Sequence, residues 1–272
     1  MPIVEVHLSR YFTVVELQSG SVGACMSSFY LSDLVLGAIE NAVMQELGED
    51  AFGVLDRGLV SVLLDTTVED APQRAAVGAA IMSAITSALS APVIRRGGDA
   101  VFCVSQTFPG FTYGVRTALV VGYGGYFQQL VELPSIRCVH IADLSYERRR
   151  QEIDCEIGRY AMRFPDKRIT VSGAIQTSDL RDYETICITG STLGNGTLDG
   201  ILSAVHGHAE VVLQGQSASI HPIKLFEAGV KWVATTVKPP SLSALARNAY
   251  DGSTYRPLLE GRLPWLYLLP RP

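Results

Sequence analysis

The sequence predicts an α/β chain in two unequal parts. A smaller α+β segment over residues 1–112 leads into an open, mostly parallel sheet over residues 113–272. Three observations carry this reading. Residues 3–30 alternate apolar and polar positions, as an antiparallel meander does. From Arg116 onward, short apolar runs alternate with helical spacing, the pattern of a parallel sheet with crossover helices. The stretch Arg116 to Glu132, RTALVVGYGGYFQQLVE, packs an apolar run, a glycine turn and a helical segment into one βα unit.

The first part begins with strand-like runs around Tyr11–Leu17 and Val22–Met26, separated by Gly20. Ser32 and Asp33 suit the cap of a helix running to about Leu47, which Gly48 would stop. A weaker helical pattern covers Leu59–Leu64. Asp70 and Pro72 then open a helix with its body over Ala75–Leu89. Ala76, Gly78, Ala79, Ala80 and Ala84 make that helix small on its surface, so another backbone can approach it closely. Val101–Val104 is strand-like, and the turn-rich residues 91–115 suit the boundary between the two parts.

In the second part, Ala118–Val121 is a buried strand, followed by Gly122, Gly124 and Gly125. Glycine at such a turn takes positive φ and leaves no Cβ in a ligand's way, and the first N–H groups of the next helix favour an anion or a polar ligand edge. The alternative is a plain strand–helix turn. The spacing is G-x-G-G, and Phe127 stands where a third glycine would complete a dinucleotide fingerprint, which disfavours NAD. Ile136–Ala142 is the second strand and ends at Asp143. An acidic residue there suits a ribose hydroxyl pair, or equally the cap of the charged helix Tyr146–Tyr160. The Arg148-Arg149-Arg150 run on that helix reads as a solvated face. Strands follow at Ile169–Ala174, Thr185–Thr189, Val211–Gln214 and Val230–Thr235, with helices at Leu198–Val205, Ile223–Ala228 and Ser241–Ala249. The apolar tail Leu263–Leu269 packs on the body or on a second subunit.

Two loops that follow core strands are rich in polar groups, at the edge where such sheets bind ligands. The first offers Thr189, Gly190, Ser191, Thr192, Asn195 and Thr197; the second offers Gly215, Ser217, Ser219 and His221. Turn chemistry and helix capping are the alternative for the first loop. His221 and Tyr126 are the candidate acid–base groups, with a structural role the alternative for His221. His206-Gly207-His208 has the wrong spacing to share a helix face and reads as a helix-end loop, so no metal ligand is assigned.

The net charge of −5 and the lack of a basic tract argue against a nucleic-acid partner. No uncharged apolar run reaches the ~18 residues of a membrane span. The opening residues lack the order of a signal peptide, and the expectation is a cytoplasmic protein. Cys25, Cys103, Cys138, Cys155 and Cys187 form no C-x-x-C and read as free, mostly buried thiols.

ITGSTLGNGTLDGIL and VVLQGQSASIHPIKLFEAGVKWVATT together resemble the DUF364 family, labelled for heavy-metal chelation. Thr189, Gly190, Ser191, Thr192, Asn195, Gly196, Thr197, Gly215, Ser217 and Pro222 fall on its motifs, while Gln216 stands where proline is usual. VVGYGGYFQQLVE matches its glycine turn, and VGAAIMSAITSAL its small-residue helix. The resemblance implies an N-terminal domain like that of enolase, a Rossmann-like second domain, and a role in making or handling metal-chelating molecules. The leading functional expectation is an enzyme binding a nucleoside, S-adenosylmethionine first, and transferring its methyl or aminocarboxypropyl group. The alternatives are a non-catalytic binder of a metal or metal complex between the domains, and a scaffold subunit with a vestigial pocket. A homodimer is expected as the commonest symmetric assembly.

Overall fold

The computed structural model describes residues 1–8, 12–26, 77–88, 96–98, 101–106, 108–111, 114–124, 126–175, 177–205, 209–238, 242 and 265–271. The helices expected at 33–47, 59–64 and most of 241–249 lie outside these residues, as do Gly125 and the His206–His208 pair.

The chain opens with β1 (Ile3–Leu8), β2 (Phe12–Leu17) and β3 (Val22–Met26), an antiparallel sheet in the order β1-β2-β3. Val6, Val15, Leu17 and Cys25 face α1, residues 77–88, through Val77, Ala80, Ile81 and Ala84. The small residues of α1 have the purpose the sequence suggested. A Cβ on Gly23 would overlap Ala80 O and Ala84 N, so strand and helix backbones lie in direct contact.

A larger sheet takes β4 (Phe102–Ser105), β5 (Thr117–Val121), β6 (Cys138–Ala142), β7 (Arg168–Ser172), β8 (Thr185–Thr189), β9 (Glu210–Gln214), β10 (Val230–Thr236) and β11 (Trp265–Pro270). Its order is β4-β11-β10-β9-β8-β5-β6-β7. The ladders from β10 through β7 are parallel, and β11 runs antiparallel to both β10 and β4. The sheet adds two things to the sequence reading. β4 lies before the boundary expected at residue 112, yet it joins the larger sheet. The apolar tail is a strand of that same sheet, seated between β10 and β4.

Both faces of the sheet are covered, which explains why its strands read as continuous apolar runs. Ala118 and Val120 point to one face, with α2 (Tyr126–Glu132) and α3 (Tyr146–Arg163); Phe127, Leu130, Ile153 and Ile157 fill that side. Leu119, Ile186, Ile188 and Leu213 point to the other, under α5 (Leu198–Val205) and α6 (Ile223–Glu227). Among the described residues no helix is long and apolar enough to cross a membrane.

Candidate functional site

From β5 the chain winds outward to β6 and β7, then returns to β8 on the other side of β5 and winds away through β9 to β10. The switch point therefore falls between β5 and β8. In a sheet of this kind the crevice beyond the strand ends at the switch point is where ligands bind. The registers pair Val121 with Ile188 and Thr189 with Gln214, so the turns after β5, β8 and β9 leave the sheet almost level.

Those three turns meet. Gly122, at φ +86°, lies so close to the β8 turn that an added Cβ would overlap Thr189 Cγ2. The Gly190 amide donates to Gln214 O, and a Cβ on Gly190 would sit 2.5 Å from Ala218 N. Gly215, at φ +117°, is against Gly190 and Thr189. After Gly190 the loop forms a short helix, α4 (Ser191–Gly194), and after Gly215 a 3-10 turn, Gln216–Ala218. β3 of the small sheet packs on both of these, and Leu193 of α4 reaches the small sheet's core. The rim is thus roofed by the first part of the chain.

Much of its polar inventory is engaged locally. Thr192 Oγ1 donates to Thr189 O at 2.7 Å, and Ser191 Oγ to Thr189 Oγ1 at 3.3 Å. Asn195 is exposed and accepts from Thr197 N and Oγ1, which fixes the turn just before α5. Ser217 is buried beneath the roof. Asp143 accepts from Tyr123 N at 2.5 Å with one oxygen, and from Ser145 N and Oγ with the other. It therefore braces the glycine turn and holds Ser145, the residue before α3, and the free lone pairs of a carboxylate remain for a further donor. The helix after the glycine turn has only seven residues, so its dipole adds little anion affinity. At Gly124 an added Cβ would meet none of the described atoms within 4 Å.

The Arg148–Arg150 run is not wholly solvated. Arg149 lies with its guanidinium 5.8 Å from the centre of the Tyr123 ring and forks onto Glu152 at 2.7 and 3.1 Å. Burial, then the neighbouring Glu156 carboxylate, push the Tyr123 phenol well above its ordinary range, so it stays protonated.

His221 is not brought to the rim. It is exposed and edge-on to Phe102, whose register with Pro270 sets it level with the start of β10, far from that strand's rim end. Tyr126 opens α2, and its side chain is outside what the structure describes.

The residue that the sequence reading passed over is Lys238. It is 4% exposed, just past β10, and donates to Gln216 O at 2.7 Å, to Thr236 O at 3.0 Å and to Ser219 Oγ. Ser219 shares a 2.6 Å hydrogen bond with Thr235 Oγ1, which reaches Gly215 O at 3.3 Å. Burial lowers the lysine pKa to about 7. The available signal was alternation, with Thr236 inward, Val237 outward and Lys238 inward.

A cavity of about 400 Å³ lies elsewhere, lined by Gly114, Arg116, Pro134, Ser135 and Arg137 at the starting ends of β5 and β6. Arg137 is paired there with Asp166 at 2.5 Å, and Glu184 accepts from the Arg116 and Thr117 amides. It is at the wrong end of the strands for a sheet of this kind, so the rim is the better candidate. Among the described residues no group of three or more His, Cys, Asp or Glu side chains could hold a metal ion. All five cysteines are free, Cys155 being exposed on α3 and Cys103 and Cys138 half-buried.

No functionally curated protein matches the chain. Two solved structures share its fold. One, a protein of unknown function from Pyrococcus horikoshii, is 14% identical with a TM-score of 0.58, over 99% of this chain and 92% of that one. The other, from Desulfitobacterium hafniense DCB-2, is 13% identical with a TM-score of 0.60, over 97% and 89%. Both are described as DUF364 proteins of unknown function. The DUF364 family model, described as "Putative heavy-metal chelation", matches residues 119–260, a span that starts inside β5 and takes in all three rim turns. The chain belongs to the DUF364 family.

Proposed function

We propose that this protein binds a small nucleoside-type ligand, S-adenosylmethionine first among candidates, at the rim between β5, β8 and β9. The ligand would serve the making or handling of a metal-chelating metabolite. The observation that carries this reading is the meeting of three turns at the switch point, under a roof supplied by β3. Gly122, Gly124 and Asp143 would hold the nucleoside, and Thr189, Ser191 and Ser217 lie on the facing turns. The nucleoside would supply the transferable methyl or aminocarboxypropyl group. This chain's part would be to align the acceptor with that group and keep water out. Isothermal titration with S-adenosylmethionine, adenosine and nicotinamide nucleotides tests the reading. Micromolar binding of the first is the expected result, and a folded protein silent to all of them would remove it.

A second reading is a non-catalytic binder of a metal–chelate complex in the same place. It is favoured by the position of His221 away from the rim and by the lack of a metal-ligand cluster among the described residues. In that case the metal would arrive already wrapped in its chelator, and native mass spectrometry of freshly purified protein would find the complex intact. A homodimer belongs to either reading, and light scattering tests it.

A further inference from the structure

We infer that Lys238 selects an anionic group on the ligand of the rim, and that it takes up a proton when that group arrives. The inference rests on the rim being a ligand site and specifies the ligand's charge.

The position of the amine is the first argument. Two of its three hydrogen-bond acceptors, Gln216 O and Ser219 Oγ, belong to the loop after β9. The lysine therefore lies directly beneath one of the three turns that form the rim, and it is walled in by β10 and by that loop. A buried ammonium is strongly disfavoured unless an anion answers it. Among the described residues no carboxylate does so. The 3-10 turn and β10 present only carbonyls, hydroxyls and the Gln216 amide. From the roof, the titratable group that acts on it is the buried Cys25 of β3. An anion docked on the turn would supply the missing charge across a low-dielectric layer, where such an interaction counts for more than in water.

The hydroxyl network accommodates both protonation states. With –NH3⁺, three N–H groups serve Gln216 O, Thr236 O and Ser219 Oγ. Ser219 can then donate to Thr235 Oγ1 and Thr235 to Gly215 O, with Gln216 O, 3.0 Å from Ser219 Oγ, the other acceptor in reach. With –NH2, two N–H groups keep the carbonyls and the lone pair accepts from Ser219. Thr235 then turns to Ser219 Oγ, and Gly215 O loses its hydroxyl donor. One proton is gained from solvent between the two states. Its presence is written into the turn at Gly215, which touches Gly190 and Thr189. Burial has already brought this amine close to neutrality at physiological pH, so a modest external charge shifts the balance.

The chain has four lysines, Lys167, Lys224, Lys231 and Lys238, so the titration can be followed directly. The full-length protein with 13C-labelled lysine would be titrated from pH 5.5 to 9 by NMR. The Lys238 Cε signal is identified by its loss in Lys238→Met or, should that variant not fold, by replacing the other three lysines with arginine in turn. The probes are S-adenosylmethionine, which carries a carboxylate, adenosine, which does not, and citrate, an anion without a nucleoside. The expected result is a midpoint raised by about one pH unit with S-adenosylmethionine and citrate, and unmoved by adenosine. In Lys238→Met, S-adenosylmethionine binds roughly tenfold more weakly while adenosine is unchanged. A midpoint indifferent to both anions, or S-adenosylmethionine bound equally by both proteins, overturns the inference. If no nucleoside binds but citrate still raises the midpoint, the nucleoside reading fails and the anion site stands.

Discussion

Gly122 and Gly190 hold the rim together through the space their missing side chains leave. At Gly190 an added methyl would meet backbone, Ala218 N at 2.5 Å, and backbone cannot swing aside. Gly190→Ala should cost about 2–3 kcal/mol in urea unfolding. Gly122→Ala combines a positive φ with overlap on the Thr189 side chain, and about 1–2 kcal/mol is expected. Gly124→Ala is the control: its Cβ would meet none of the described atoms within 4 Å, so a change within about 0.5 kcal/mol should be seen. The same experiment run against pH reports on Lys238. Its folded pKa, about 7, lies below the ordinary 10.5. Between those values the unfolded chain binds more protons than the native one, so stability rises with pH across that window. Below pH 7 the burial penalty is felt in full. In Lys238→Met the rise between about pH 7 and 10.5 should disappear, and a slope equal to wild type would show that the amine does not titrate as a buried group.

At the scale of elements, two strands depend on close neighbours that are remote in sequence. β3 is fitted to α1 at Gly23, where the helix backbone occupies the place of a side chain. Gly23→Val should separate the two and lower the thermal midpoint by several degrees, since each kcal/mol moves a protein of this size by about 2–4 °C. Among the described residues β4 is joined to the larger sheet through β11 alone. Ending the chain at residue 264 removes β11, which uncovers one side of β10 and detaches β4. Unpaired strand edges recruit other chains. The truncated protein should elute as aggregate in size-exclusion chromatography, and a well-behaved monomer would show that β11 is dispensable.

At the scale of the whole molecule, the rim is a joint between two sheets. Its floor is formed by turns of the larger one and its roof by β3 of the smaller. A ligand held there touches both, so hydrogen exchange should slow together in β3, around residues 189–192 and around 215–219. Protection confined to the glycine turn at 122–124 would mean that the roof takes no part in binding. Lys238 belongs to this scale as well as to its own, because the loop it supports is the one on which the small sheet rests.

The sequence by itself determined the alternation of strands and helices, the turns at 122, 190 and 215, and the small-residue helix, because these are written in local periodicity and in glycine placement. RTALVVGYGGYFQQLVE is legible as a βα unit without any other part of the chain. What only the tertiary structure decided is which distant groups meet. Asp143 was legible as acidic and well spaced, but its role in bracing Tyr123 depends on β5 and β6 being neighbours. His221 was legible as a candidate base, yet the path of the chain before α6 carries it to Phe102 instead. β4 and β11 were legible as strands, but their membership in one sheet joins residues more than 160 positions apart. Lys238 was invisible because a lysine's burial is a property of what surrounds it, and its surroundings come from β10, the loop after β9 and the small sheet together.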